Sequence, residues 1–138
     1  MFEHCLYFNT TSLARQLERE WTVAFKPFGL TPSQAFMIRV ILDKENITGS
    51  DLALELNISK ATCSRTLDGL FELGFIKKVH TSKDARSYEL HPTTKAKSLK
   101  AEINQASGEV TKRIKKVIGT DHFETTVLSL RSIGSSIK

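Results

Sequence analysis

At 138 residues, 40% hydrophobic and 25% charged, the chain suits one soluble domain that can bury a core without disulfide or metal staples. No apolar run approaches the ~20 residues that span a bilayer. Met1-Phe2-Glu3-His4-Cys5 lacks the basic-then-apolar layout of a secretory signal, so a cytoplasmic location is expected. The net charge of +5 suits a polyanionic partner but is a weak signal alone. The lone Cys5 and Cys63 and the scattered His4, His80, His91 and His122 spell no zinc pattern, and no metal or cofactor is expected.

In chain order, residues 5–26 read as a helix, with Leu6, Leu13, Leu17, Trp21, Ala24 and Phe25 at roughly helical spacing and Pro27 and Gly29 ending it. Thr31-Pro32-Ser33-Gln34 is a helix start with the residues of a capping box. The helix behind it, about 32–44, is expected to carry Phe36, Met37, Val40 and Ile41 on its inner side. A connector, 46–49, leads to a short helix over 49–56, with Thr48 and Asp51 resembling a second box. Asn57 fits a left-handed turn position. Ser59 caps a helix over 60–73 that stops at Gly74. Residues 75–80 read as a strand, 81–85 as a polar turn and 86–91 as the returning strand. A long helix over 93–117 starts near Thr93, and a last one over 121–136 follows the break at Gly119.

The two short helices carry the functional signal. Ala53 is small where two helices must cross, Asn57 marks the bend and Ile58 plugs the turn. Cys63, Leu67 and Leu70 then form one apolar stripe. That leaves Lys60, Ala61, Thr62, Ser64, Arg65 and Asp68 mostly off that stripe, a helix-turn-helix whose second helix, capped at Ser59, starts with small and polar side chains. Arginine can bond a guanine edge through two donors, and hydroxyls suit phosphates or bases. Behind it, the hairpin adds Lys77, Lys78, Lys83 and Arg86 against Asp84 alone. Residues 47–90 hold six basic and six acidic side chains in all, so the charge there is sorted by position rather than in excess. The surplus of five lies in 91–118, with seven basic and two acidic groups.

These stretches resemble the winged helix-turn-helix of the MarR regulators: Leu30-Thr31-Pro32-Ser33-Gln34, Asp51-Leu52-Ala53, Ser59 to Arg65, and Leu70 to Ile76. Asp84-Ala85-Arg86 is similar to the family's wing motif. The resemblance implies a mostly α fold with a small β-wing (α+β), a single domain over 1–138. Its winged helix-turn-helix would occupy 30–92, with dimerisation helices over 1–28 and 93–138. It implies that helix 60–73 enters the major groove of double-stranded DNA. Arg86 would be inserted in an adjacent minor groove and oriented by Asp84, with Lys83 beside them; narrow A·T-rich grooves favour such an arginine. It further implies repression from a palindromic operator, relieved by a small aromatic ligand bound between the dimer helices and the winged module. Departures are Pro92-Thr93 and Ala96 where the family usually has Leu-Thr and a glycine, and Cys63 in place of a common valine.

A homodimer is argued from the residues as well. Leu6, Tyr7, Phe8, Leu13, Trp21, Phe123, Val127, Leu128, Leu130 and Ile133 bracket the module with more apolar surface than it can cover. Two recognition helices about 34 Å apart, one DNA turn, then match a palindrome. Two other regulatory readings stay open: an oxidant sensor using Cys5, and a winged-helix interaction module without DNA binding. An enzyme would need converging acid–base groups, a nucleophile with its base, or a metal cluster; the sequence spells none, and no catalytic residue is expected.

Overall fold

The computed structural model describes residues 1–81 and 88–138. Helix α1 (Leu6–Phe25) runs into a single 3-10 turn at Lys26–Phe28. Helices α2 (Pro32–Lys44), α3 (Gly49–Leu56) and α4 (Lys60–Glu72) follow, with a two-residue strand β1 (Ile47–Thr48) ahead of α3. Strands β2 (Ile76–His80) and β3 (Tyr88–Pro92) form the hairpin, and α5 (Thr94–Ile118) and α6 (Thr120–Ser136) complete the chain. The architecture is mostly helical with one small antiparallel sheet in the order β1-β3-β2.

Local chemistry sets the helix starts. Thr31, Thr48, Ser59 and Thr93 are extended N-caps, and each side-chain oxygen accepts from the amide three residues on. One otherwise orphaned amide is thereby satisfied at each start. Only Thr31 completes the reciprocal box, with its own N–H donating to Gln34 Oε1 at 3.0 Å; Asp51 does not reach back to Thr48. The turn between α3 and α4 is made by Asn57 at φ 55°, ψ 43°, a left-handed position that asparagine tolerates. Its N–H and that of Ile58 close back on the end of α3, the latter on Ala53 O at 3.1 Å.

The core joins all the elements except α6. Phe25 of α1, Met37, Ile38 and Ile41 of α2, Leu52 of α3, Leu70 of α4, Phe75, Leu90 of β3 and Ile103 of α5 are fully buried. Each contributes about 1.5–3 kcal/mol by leaving water. Two expectations are corrected. Phe36 is not on the inner side of α2: it is 40% exposed, because the buried stripe runs through Ala35, Met37, Ile38, Ile41 and Leu42. Its ring instead meets Phe25 edge-on, with centroids 6.0 Å apart. The connector is also more than a link, since Ile47 and Thr48 pair with Leu90 and Glu89 and make β3 the central strand.

Helix α6 buries no residue, and Val127, Leu128 and Leu130 stand exposed on it, as do Leu6, Tyr7, Phe8 and Leu13 on α1. No helix among the described residues is long and apolar enough to cross a membrane.

Candidate nucleic-acid interface

Helix α4 is held from behind by Cys63, Leu67 and Leu70, which are 3%, 4% and 0% exposed. That anchoring turns its other face outward. Ser59, Lys60, Ala61, Ser64 and Arg65 are exposed, and Thr62 is half-buried. Hydrogen bonds order three of them. Ser59 Oγ accepts from the Thr62 amide at 3.1 Å and donates to Thr62 Oγ1 at 3.0 Å. The Arg65 Nη2 group donates to the same Thr62 oxygen at 3.2 Å. Arg65 is thus drawn toward the start of its helix, where no acidic residue occupies the first turn. The free amides and dipole of a helix start favour an anion, so a guanidinium, hydroxyls and a helix N-terminus share one exposed end.

The wing is fastened at its root. Lys78 of β2 lies 5.2 Å from the Phe71 ring of α4 and 4.6 Å from the Tyr88 ring of β3, so the hairpin is tied to α4 by a cation between two aromatic faces. Lys78, one of the hairpin's basic side chains, is thereby partly engaged. Lys83, Asp84 and Arg86 lie outside the described residues. Of the return strand expected over 86–91, residues 86 and 87 lie outside the described residues, and the described part runs from Tyr88 to Pro92. From there α5 grips the far end of α4: Thr93 Oγ1 donates to Gly74 O at 2.7 Å, and Lys95 Nζ donates to Leu73 O at 2.7 Å.

Two concavities flank α4. One, of about 500 Å³, lies between α4, the start of α3 and the wing root, against Lys60, Ser64, Gly49, Thr81 and Tyr88. Cys63 lines it, with Sγ 3.7 Å from Gly49 O, and burial pushes its thiol pKa up, which suits packing rather than reactivity. The other, of about 510 Å³, is more apolar. It lies between α1 and the winged module and is walled by Leu17, Trp21, Phe36, Met37, Leu56 and Ile58. Thr62 and Thr66 of α4 close its floor. Thr66 escaped the sequence reading, although it lies one turn after Thr62 on the same face, which is the signal that would have found it.

Cys5 is exposed, and its Sγ accepts weakly from the Phe8 amide at 3.5 Å as the N-cap of α1. It is not bonded to Cys63. Among the described residues no group of three His, Cys, Asp or Glu side chains could hold a metal.

Known proteins match this arrangement. The model of the MarR family matches residues 28–87, the span from the end of α1 into the wing. The HTH-type transcriptional regulator BilQ of Clostridioides difficile is 26% identical over 108 residues, covering 78% of this chain and 73% of that protein. The Staphylococcus aureus MepR–DNA complex superposes with a TM-score of 0.84 at 16% identity, over 98% of this chain and 100% of that one. A MarR transcriptional regulator from Methanosarcina mazei Go1 does so at 0.80 and 20% identity, over 95% and 94%. Both structural likenesses extend past the winged module to the helices on either side.

Proposed function

We propose that this chain, which the MarR family model matches over residues 28–87 and which is similar to the regulator BilQ, is a MarR-type regulator that binds double-stranded DNA sequence-specifically as a homodimer and represses transcription in the cytoplasm. The observation that carries this reading is the outward, ordered face of α4, where Ser59, Thr62 and Arg65 share one hydrogen-bonded string and Lys60, Ala61 and Ser64 leave room around it. Small side chains let the backbone approach base edges, and Arg65 has the donors for a guanine. The MepR complex with DNA is consistent with it. Lys83, Asp84 and Arg86 enter the proposal from the sequence alone, as the wing's contact with an adjacent minor groove.

The dimer is supported by the exposed apolar residues of α1 and α6, which a second copy would cover. Twofold symmetry then gives a palindromic operator. Ligand control is supported by the apolar groove behind α4, whose volume suits a drug-sized molecule. A small aromatic ligand there would touch Thr62 and Thr66 on the flank of α4 that faces α1 and shift the helix that carries Arg65.

Selecting duplexes from a random pool tests the core of the reading. Enrichment of a palindrome, bound far more tightly than a scrambled duplex in gel-shift titrations, is expected; no enrichment at low salt refutes it. Oxidant control through Cys5 is decided by binding measured before and after mild peroxide, with Cys5→Ser as control.

A further inference from the structure

Ser107 is the one buried polar residue among the described residues, 6% exposed in the middle of α5. Its oxygen accepts from two other helices at once. The Trp21 indole N–H of α1 reaches it at 3.0 Å, and the Arg39 Nη1 group of α2 at 3.1 Å. Arg39 donates again through Nε to Asn104 Oδ1, one turn earlier in α5, at 2.7 Å. Its guanidinium lies 5.0 Å from the Phe36 ring centre. Among the described residues no carboxylate forms an ion pair with Arg39, and burial pushes its pKa down.

A half-buried cation held by neutral acceptors is a costly way to pack helices, and apolar side chains of similar volume would hold them as firmly. What the hydrogen bonds add is direction. One oxygen placed near 3 Å from two donors fixes three helices at once, whereas apolar contacts tolerate sliding. The place of the network in the fold says which motion it stops. α2 packs on α3, α4 and β3, with which it makes up the winged module, and packs also on α1 and α5, the flanking helices. Both Arg39 bonds therefore cross the seam between the two parts.

We propose that Arg39, Ser107 and Trp21 form a joint that sets the angle of the winged module on the flanking helices, and so the separation of the two recognition helices in the dimer. The inference rests on the dimeric DNA-binding reading above. These are positioning residues, since the DNA-contacting face is on α4. Two linked readers gain affinity only when both can engage together. A loosened joint therefore harms binding to a full palindrome and spares binding to one arm. Trp21 also lines the apolar groove with its ring, so an occupant of that groove would press directly on the joint.

The test uses the full chain and two duplexes, the palindrome recovered from the random pool and the same duplex with one arm scrambled. Ser107→Ala is expected to lose roughly 5- to 30-fold on the palindrome and no more than about 2-fold on the single arm, while still sedimenting as a dimer. Arg39→Lys, which keeps the charge but not the fork, should behave alike, and Ser107→Thr, which keeps the oxygen, should bind as wild type. Trp21 is the only tryptophan, so its emission reports whether the bond has broken. Equal losses on both duplexes would assign the network to stability alone and overturn the proposal. So would unchanged palindrome affinity in a variant with shifted emission. A wild type that holds one arm as tightly as two fails the dimeric reading first, and the joint falls with it. If Ser107→Ala does not fold, Trp21→Phe, which removes the indole donor and trims the ring, carries the same two-duplex comparison without the emission readout.

Discussion

Arg65 and Lys60 occupy the same exposed helix start but are expected to do different work. Arg65 is tethered to Thr62 at 3.2 Å, so less freedom is lost when it meets a base edge. Arg65→Ala should weaken binding to the selected palindrome by ~1–3 kcal/mol and binding to a scrambled duplex far less, as read by gel-shift titration. Lys60 is an exposed point charge in the first turn, suited to phosphate. Lys60→Ala should weaken both duplexes alike and lower the salt dependence of binding by about one unit of slope. Equal losses for Arg65→Ala on both duplexes would reassign it to the backbone. Arg86→Ala, in the wing, should matter most where the flanks are A·T-rich.

Between residue and fold stands the contact of α2 with α4. A Cβ at Gly69 would come 2.6 Å from Gln34 Nε2, and Gln34 is the residue whose oxygen completes the capping box at Thr31. Alanine normally stabilises a helix interior by about 0.8–1.0 kcal/mol over glycine. Here the gain is opposed by moving Gln34 off its cap, which costs about as much. Gly69→Ala alone should therefore change stability little or lower it, while the same change in a Gln34→Ala chain should raise it by ~0.5–1 kcal/mol. Denaturant melts of the four variants check this, and a full gain in the wild-type chain would show the contact to be soft. Elements of this kind divide the legible from the hidden. The caps at Thr31, Thr48, Ser59 and Thr93 were readable because donor and acceptor lie three residues apart. The stripe Cys63, Leu67, Leu70 was readable because helical period alone aligns it. Phe36 was misplaced because neighbouring apolar positions on α2 compete for one core, and only packing decides between them. Strand β1 and the Arg39–Ser107 bond join distant stretches, for which neither periodicity nor spacing carries a signal.

At the scale of the molecule, α6 packs on α5 yet leaves apolar side chains standing out, and Leu128 is 63% exposed. Charging that face should split the proposed dimer without harming the core. Leu128→Glu is expected to sediment as a monomer at micromolar concentration, melt nearly as the wild type does, and lose most of its affinity for a palindrome. A dimer that survives the change would place the symmetry contact elsewhere. The order of strands has a different consequence, one of timing. Ile47 meets Leu90 across β1 and β3, so the sheet that braces α3 and α4 closes only after every element between them has been made. Helices nucleate locally and fast, whereas pairing of distant segments waits on loop closure. On the ribosome the three-stranded sheet stays open until Pro92 has emerged, so a half-made chain has no braced α4 face to present.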